Sequence, residues 1–283
     1  MTSEGLEMQP VNEADWDYLI VLDACRYDIF EQEYEDFLEG ELKKVRSRGS
    51  ATPEWLKNTF TGRYSYNYIS ANPYINGEGL TLGDLVSGED WSWKAPEQFQ
   101  NVVDSWIKDW DDELNTVRPE DLTDTALENL EYSKTVIHYI QPHRPFISMN
   151  EKNFEWAPKN KLEDEEETVL RKALDATRPV WDPVFSSIPY TFQAKIKGAL
   201  GLGNDYEKLA REKGEEKVKE YYRKDLRLAL EEVKRLIEGL DGKVVVTADH
   251  GELLGEGGWG HYIGGNEDEL LNVPWLEVRE KEA

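Results

Sequence analysis

The chain carries four histidines in 283 residues, and one of them stands directly beside a carboxylate. His250 follows Asp249 and precedes Gly251, and His261 closes the glycine-rich stretch GEGGWGH. Imidazole and carboxylate together suit zinc, manganese and related divalent ions. His143 lies in QPHRP and His138 lies a little upstream of it. Any one of these histidines could merely cap a loop, but the set reads as a metal-binding constellation. A second cluster is Asp23-Ala-Cys-Arg26-Tyr-Asp28. A carboxylate closing a buried apolar run is costly unless it is paired, hydrogen-bonded or metal-bound. An Asp23–Arg26 ion pair or a helix cap is the alternative there. Cys25 reads as core rather than as a nucleophile. Ser50-Ala-Thr52-Pro53 places two hydroxyls at a predicted helix start, where backbone N–H groups favour an anionic group. Either hydroxyl could also serve as that helix's cap, and Pro53 suits its first turn.

These residues need elements to position them. Asp17–Asp23 (DYLIVLD) and Lys243–Asp249 (KVVVTAD) are apolar runs ending in an acid, the pattern of buried parallel strands. Further strands are predicted at Leu42–Ser47, Tyr66–Ser70, Phe99–Trp106, Lys134–Gln141 and Asn272–Val278. Helices are predicted at Tyr27–Leu38, from Pro53 to about Phe60, and at Pro119–Tyr132. Val218, Tyr222, Leu226, Leu230, Val233 and Ile237 recur at helical spacing on a charged background, so they form one face of an amphipathic helix. Gly239 and Gly242 end it. Strands alternating with helices predict an α/β fold with a mainly parallel central sheet and helices on both faces. In such sheets ligands bind beyond the carboxyl ends of the strands. Asp23, Gln141–His143 and Asp249–His250 all fall at those ends and are expected to converge on one rim. Residues 1–283 are read as one domain, with an acidic, helical insertion over about 150–203 that forms a cap or surface excursion.

Bulk properties narrow the partners. The formal net charge is −25, which disfavours nucleic acid and anionic membrane surfaces. It also makes an anionic substrate awkward unless cations reverse the local field. One cysteine excludes an intrachain disulfide and favours a reducing compartment. Met1 to Asp15 is polar and acidic, without the basic start and apolar run of a signal peptide, and no stretch is long and apolar enough to span a bilayer. The expectation is a soluble, cytoplasmic protein. There is no Gly-x-Ser-x-Gly elbow and no phosphate-loop signature.

Four stretches, IVLDACRYD (20–28), SRGSATPEWLKNTFTG (47–62), HYIQPHRPF (138–146) and VVVTADHGELLGEGGWGH (244–261), resemble the alkaline phosphatase/sulfatase superfamily, in particular its sulfatase-like branch. Their order matches the family's. The resemblance implies that Asp23 is the first-strand metal carboxylate and that Asp249 and His250 are the Asp-His metal pair. His261 matches the late basic position, and His143 is expected near the substrate or at a second metal. His138 has a looser counterpart. Sulfatases use a cysteine in a Cys-x-Pro-x-Arg context, and counting along the segment places Thr52 at that position, with Leu56 where the arginine would be. The pattern resembles threonine-type phosphoesterases and phosphotransferases, with Ser50 as rival nucleophile. Asn72, in SANPY, stands where some relatives bind substrate.

The implied activity is metal-dependent hydrolysis or transfer of phosphate esters, less so sulfate esters, through a covalent threonine. One or two ions, zinc or manganese, would serve it, with Thr52 and His261 among the ligands. The substrate would be a small-molecule or glycan-linked ester. The alternatives are a degenerate, non-catalytic family member that binds metal or ligand, and a true sulfatase. A two-metal site needs a further carboxylate beside His143 and His261, and with 58 Asp and Glu residues the sequence does not single one out.

Overall fold

A computed structural model describes residues 5–86, 89, 91–131, 134–149 and 205–279. The insertion expected at 150–203 lies outside the described residues. The central sheet has seven strands: β1 (Tyr18–Leu22), β2 (Gly40–Arg46), β3 (Tyr64–Ser70), β4 (Phe99–Asp104), β7 (Thr135–Tyr139), β8 (Val244–Ala248) and β11 (Asn272–Val278). Their spatial order is β2-β11-β8-β1-β7-β3-β4. β1 pairs in parallel with both β7 and β8, and β3 pairs in parallel with β7 and β4. β11 runs against its neighbours β2 and β8, so six strands point one way and one points back. The sheet is mixed and mostly parallel.

Every residue of β7 and β8 is buried, as are four of the five in β1. Burial at consecutive positions means that both faces of these strands are covered, which is why they read as continuous apolar runs rather than alternating ones. At one edge, β2 exposes Glu41, Lys43 and Lys44, charges that discourage pairing with another chain. Two ribbons of two residues per strand, β5–β6 (Trp110–Asp111, Thr116–Val117) and β9–β10 (Leu253–Leu254, Trp259–Gly260), are too short to leave a periodic pattern in the sequence.

The helices differ from expectation mainly in where they stop. α1 covers Tyr27–Glu33 and gives way to a 3-10 turn at Tyr34–Asp36. α2 spans Thr52–Thr59. The helix opened by Pro119 ends at Leu127. The long helix Glu215–Glu238 buries the predicted stripe Val218, Tyr222, Leu226, Leu230 and Val233. Leu236 rather than Ile237 completes the stripe: Leu236 is fully buried and Ile237 only partly so. Among the described residues, no helix is long and apolar enough to cross a membrane.

The chain divides into two compact units. The first, residues 1–152, 219–252 and 261–283, holds the seven-stranded sheet. In the second, residues 153–218 and 253–260, the described parts are the helix Asp205–Lys213, the start of the long helix and the β9–β10 ribbon.

Leu230 is fully buried on the long helix. Leu230→Ala is expected to lower unfolding stability by about 2–5 kcal/mol, the usual cost of the lost transfer energy and the cavity left behind. The urea midpoint should fall with little change in slope, and an unchanged midpoint would remove the helix from the core.

Candidate metal centre at the carboxyl edge of the sheet

Four parallel strands deliver chemistry-bearing residues to one edge. Asp23 follows β1, Asn72 follows β3, His143 follows β7 and Asp249 follows β8. Asp23, Asp249 and His250 are all buried, and one donor atom from each lies within 4.8 Å of the others. His250 Nε2 is 3.6 Å from Asp23 Oδ1 and 3.5 Å from Asp249 Oδ2. The backbone turns sharply to make this possible. Ala24 adopts φ 60°, a left-handed conformation that costs a non-glycine residue about 1–2 kcal/mol, and its N–H donates to Asp249 Oδ1 at 3.0 Å. The Tyr222 hydroxyl holds that turn from the long helix, donating to Ala24 O at 2.6 Å and accepting from Arg26 N at 3.0 Å. Gly251 is required after His250, because a Cβ there would lie 2.0 Å from the carbonyl oxygen of Glu269.

Asp249 Oδ1 also accepts from His250 N, whereas its Oδ2 is buried and accepts no hydrogen bond. Burial pushes the Asp249 carboxyl up to about 7, against the pull of the Thr52 hydroxyl and the two backbone N–H groups. Burial pushes His250 down to about 4, with the nearby His261 adding to the effect. Two carboxylates and an imidazole sharing a dry site, with one carboxylate oxygen left over, form a donor set that a divalent cation satisfies.

A second group lies beside the first: His143, Glu252 and His261, again with donor atoms within 4.8 Å of one another. Glu252 is fully buried and its Oε1 is 3.0 Å from His261 Nδ1. The His261 ring centroid is 4.2 Å from that of His250 and 5.2 Å from that of His143. Glu252 is the carboxylate that the sequence did not single out. Its one distinguishing mark was its place in Asp249-His-Gly-Glu252, three residues after Asp249. The loop bearing His143 is fastened further along by Asp225 of the long helix, which accepts from Ile147 N at 2.7 Å and Ser148 N at 2.9 Å. Burial raises the Asp225 carboxyl to about 6.

Thr52 is the first residue of α2 and nearly fully buried, with Oγ1 3.4 Å from His250 Nε2. The cap expected at Ser50 or Thr52 is instead Ala51, which offers no side-chain cap. The reason is that both hydroxyls are committed elsewhere. Ser50 Oγ has one proton to share between Glu54 Oε2 (2.9 Å) and Tyr262 O (2.8 Å), and it accepts from Gly265 N (2.8 Å). Ser50 therefore ties α2 to the loop after His261, while Thr52 faces the Asp23–Asp249–His250 group.

The remaining sequence candidates are placed as follows. Asn72, read as a substrate contact, donates from Nδ2 to Asp23 Oδ2 at 2.7 Å and accepts from Tyr74 N, so its amide braces the Asp23 carboxylate. His138 is buried in β7, with Nδ1 2.9 Å from the Tyr68 hydroxyl and Nε2 3.7 Å from Asp249 Oδ2. It stands behind Asp249. Arg26 forms a two-point ion pair with Asp28 and donates to the carbonyl of Glu252. Cys25 is buried, and burial pushes its thiol up, as expected of a core residue.

The raised Asp249 carboxyl sets a direction for pH dependence. Below its value of about 7 the group is protonated in the metal-free protein, and a cation must displace that proton to bind. His250, held near 4, is neutral across the same range and adds no competing proton. Mn2+ affinity measured by calorimetry should therefore weaken about tenfold per pH unit below pH 7 and level off above pH 8. A flat affinity from pH 6 to pH 8 would contradict the placement of Asp249 in the ion's coordination.

No family model matches the sequence, and no curated protein matches it. Solved structures do. The chain is similar to the phosphonate monoester hydrolase of Agrobacterium radiobacter, at 13% identity and a TM-score of 0.50, covering 93% of this chain and 67% of that one. It is also similar to the phosphonate monoester hydrolase of Silicibacter pomeroyi, at 16% identity and a TM-score of 0.45, covering 92% and 67%. The lipooligosaccharide phosphoethanolamine transferase A of Neisseria meningitidis follows at 11% identity and 0.44, covering 96% and 50%. The chain thus spans between half and about two thirds of the length of these structures. At such identities the likeness is one of fold alone, the alkaline phosphatase-like α/β fold.

Proposed function

We propose that the protein is a metal-dependent hydrolase or transferase of phosphate esters that works through a covalent threonine. The observation that carries this reading is the Thr52 hydroxyl at the start of α2, 3.4 Å from His250 Nε2 and beside the buried Asp23–Asp249–His250 group. Bound there, a divalent ion, zinc or manganese, supplies Lewis acidity that lowers the pKa of the Thr52 hydroxyl and offsets phosphoryl charge. Thr52 Oγ1 releases its proton to water and attacks phosphorus in line with the leaving oxygen. The new O–P bond forms as the ester O–P bond breaks, leaving a phosphothreonine. The backbone N–H groups at the N-terminus of α2 face the charge that develops on the phosphoryl oxygens. His261 or His143 donates the proton that the leaving alkoxide needs, unless both serve with Glu252 as ligands of a second ion. Water or an acceptor alcohol then releases the phosphoryl group from Thr52.

Cation and imidazole charge also resolves the conflict between an anionic substrate and a chain of net charge −25. Solved structures of similar fold include phosphonate monoester hydrolases, phosphoethanolamine transferases and sulfatases alike, so the choice of phosphorus over sulfur rests on this chain's own residues. Thr52 in place of a formylglycine cysteine supports that choice. The substrate class is a small-molecule or glycan-linked ester, handled in the cytoplasm.

Thr52→Ala should lower turnover of an aryl phosphate by about 10³-fold or more without loss of bound metal, and acid-quenched wild type should yield phosphothreonine at residue 52. Full turnover in the variant would end the nucleophile assignment, and wild type inert toward every ester tested would favour a non-catalytic binding protein. Where His143, Glu252 and His261 hold a second ion, Glu252→Gln should reduce metal content from about two ions per chain to about one while sparing the Asp23 site. Mass-spectrometric metal analysis that finds the same content in both would remove the second ion.

A further inference from the structure

The N-terminal segment read from sequence only as polar and acidic contains a polar side chain, that of Gln9, which is fully buried. Met8 bridges Arg46 in parallel, Gln9 N–H donates to Arg46 O, and Arg46 N–H donates to Glu7 O, so the segment lies alongside β2. From there the Gln9 side chain turns inward and is fully buried. Its Nε2 donates to Thr247 Oγ1 at 2.7 Å and to Ala248 O at 2.8 Å, and its Oε1 accepts from Trp55 Nε1 at 2.7 Å. The Thr247 hydroxyl passes the chain on to Pro274 O on β11 at 2.6 Å.

The partners' places in the sequence give this knot its meaning. Ala248 is the residue before Asp249, and Trp55 lies one helical turn beyond Thr52. One buried amide thus joins the helix that carries the hydroxyl to the strand that carries the carboxylate and imidazole. Because the Trp55 indole and the Gln9 amide are both fully buried, water cannot replace these bonds if α2 shifts. Sliding α2 along the sheet breaks the Trp55–Gln9 bond and leaves both groups unsatisfied in the core.

We infer that Gln9 is a positioning residue that sets the separation between the Thr52 hydroxyl and the Asp249–His250 pair. It touches no reacting atom. It acts through Trp55 on one side and Ala248 on the other. The catalytic consequence rests on the proposed role of Thr52, but the mechanical one does not.

Gln9→Met keeps the volume and removes all three hydrogen bonds, and Trp55→Phe removes the indole donor alone. Hydrogen exchange of the segment 48–60 should rise at least about tenfold in both variants, with the segments 64–70 and 135–139 unchanged. With 4-nitrophenyl phosphate, kcat should fall about tenfold or more while KM and Mn2+ affinity stay within about two-fold, because the loss lies in alignment. The double variant should be no worse than the poorer single one, since both cut the same link. Unchanged exchange in 48–60, or an equal rise throughout the chain, overturns the inference whatever the kinetics show. So does a loosened α2 with kcat intact, which would make Gln9 structural only. A loosened α2 in a protein whose wild type turns over no ester leaves the knot standing and overturns the proposed function instead.

Discussion

Two carboxylates and an imidazole, Asp23, Asp249 and His250, are packed out of water within reach of one another, with a third carboxylate, Glu252, buried in the adjoining group. Removed from water such groups favour their neutral forms, and the raised Asp249 and lowered His250 protonation equilibria record that burial. The architecture around them is organised to bear it. Backbone N–H groups of Ala24 and His250 point at Asp249, the Asn72 amide points at Asp23, and the Tyr222 hydroxyl holds Ala24 in its left-handed turn. Each of these contacts costs conformational freedom or strain, which the packed sheet beneath is able to supply because its central strands are covered on both faces.

Much of this was legible in the sequence, for physical reasons. Buried parallel strands have to be apolar along their whole length, so DYLIVLD and KVVVTAD announced β1 and β8 together with the acids that end them. The stripe from Val218 to Val233 announced the long helix because a 24-residue amphipathic element has many turns over which to repeat. Histidines are few, so their grouping after strand ends carried information. Asp23, His143, Asp249, His250 and His261 could therefore be named beforehand, Thr52 followed from the family resemblance with Ser50 as its rival, and the structure brings these residues to one edge.

What was not legible depended on contacts without a periodic or compositional mark. Glu252 is one acid among many, and only its burial against His261 distinguishes it. Gln9 sits in a segment whose polarity suggested solvent, yet its side chain is in the core. The direction of β11 is likewise absent from its composition, since an apolar strand satisfies its neighbours either way. At the start of α2, hydroxyl-rich sequence suggested a side-chain cap, but tertiary partners claimed both hydroxyls. Local preference lost to the loop after His261 and to the metal-type cluster.

The long helix has a further consequence for how this protein tolerates change. Tyr222 and Asp225 stand three residues apart and so share one face, the first gripping the turn after Asp23 and the second the loop after His143. Substitutions on the opposite, charged face leave that grip alone. A single inserted or deleted residue between the two anchors does not, because it rotates one against the other by about 100° and lets go of one loop whichever anchor stays in place. The helix is therefore permissive in its letters and strict in its count, and natural variation in its length should be confined to its ends.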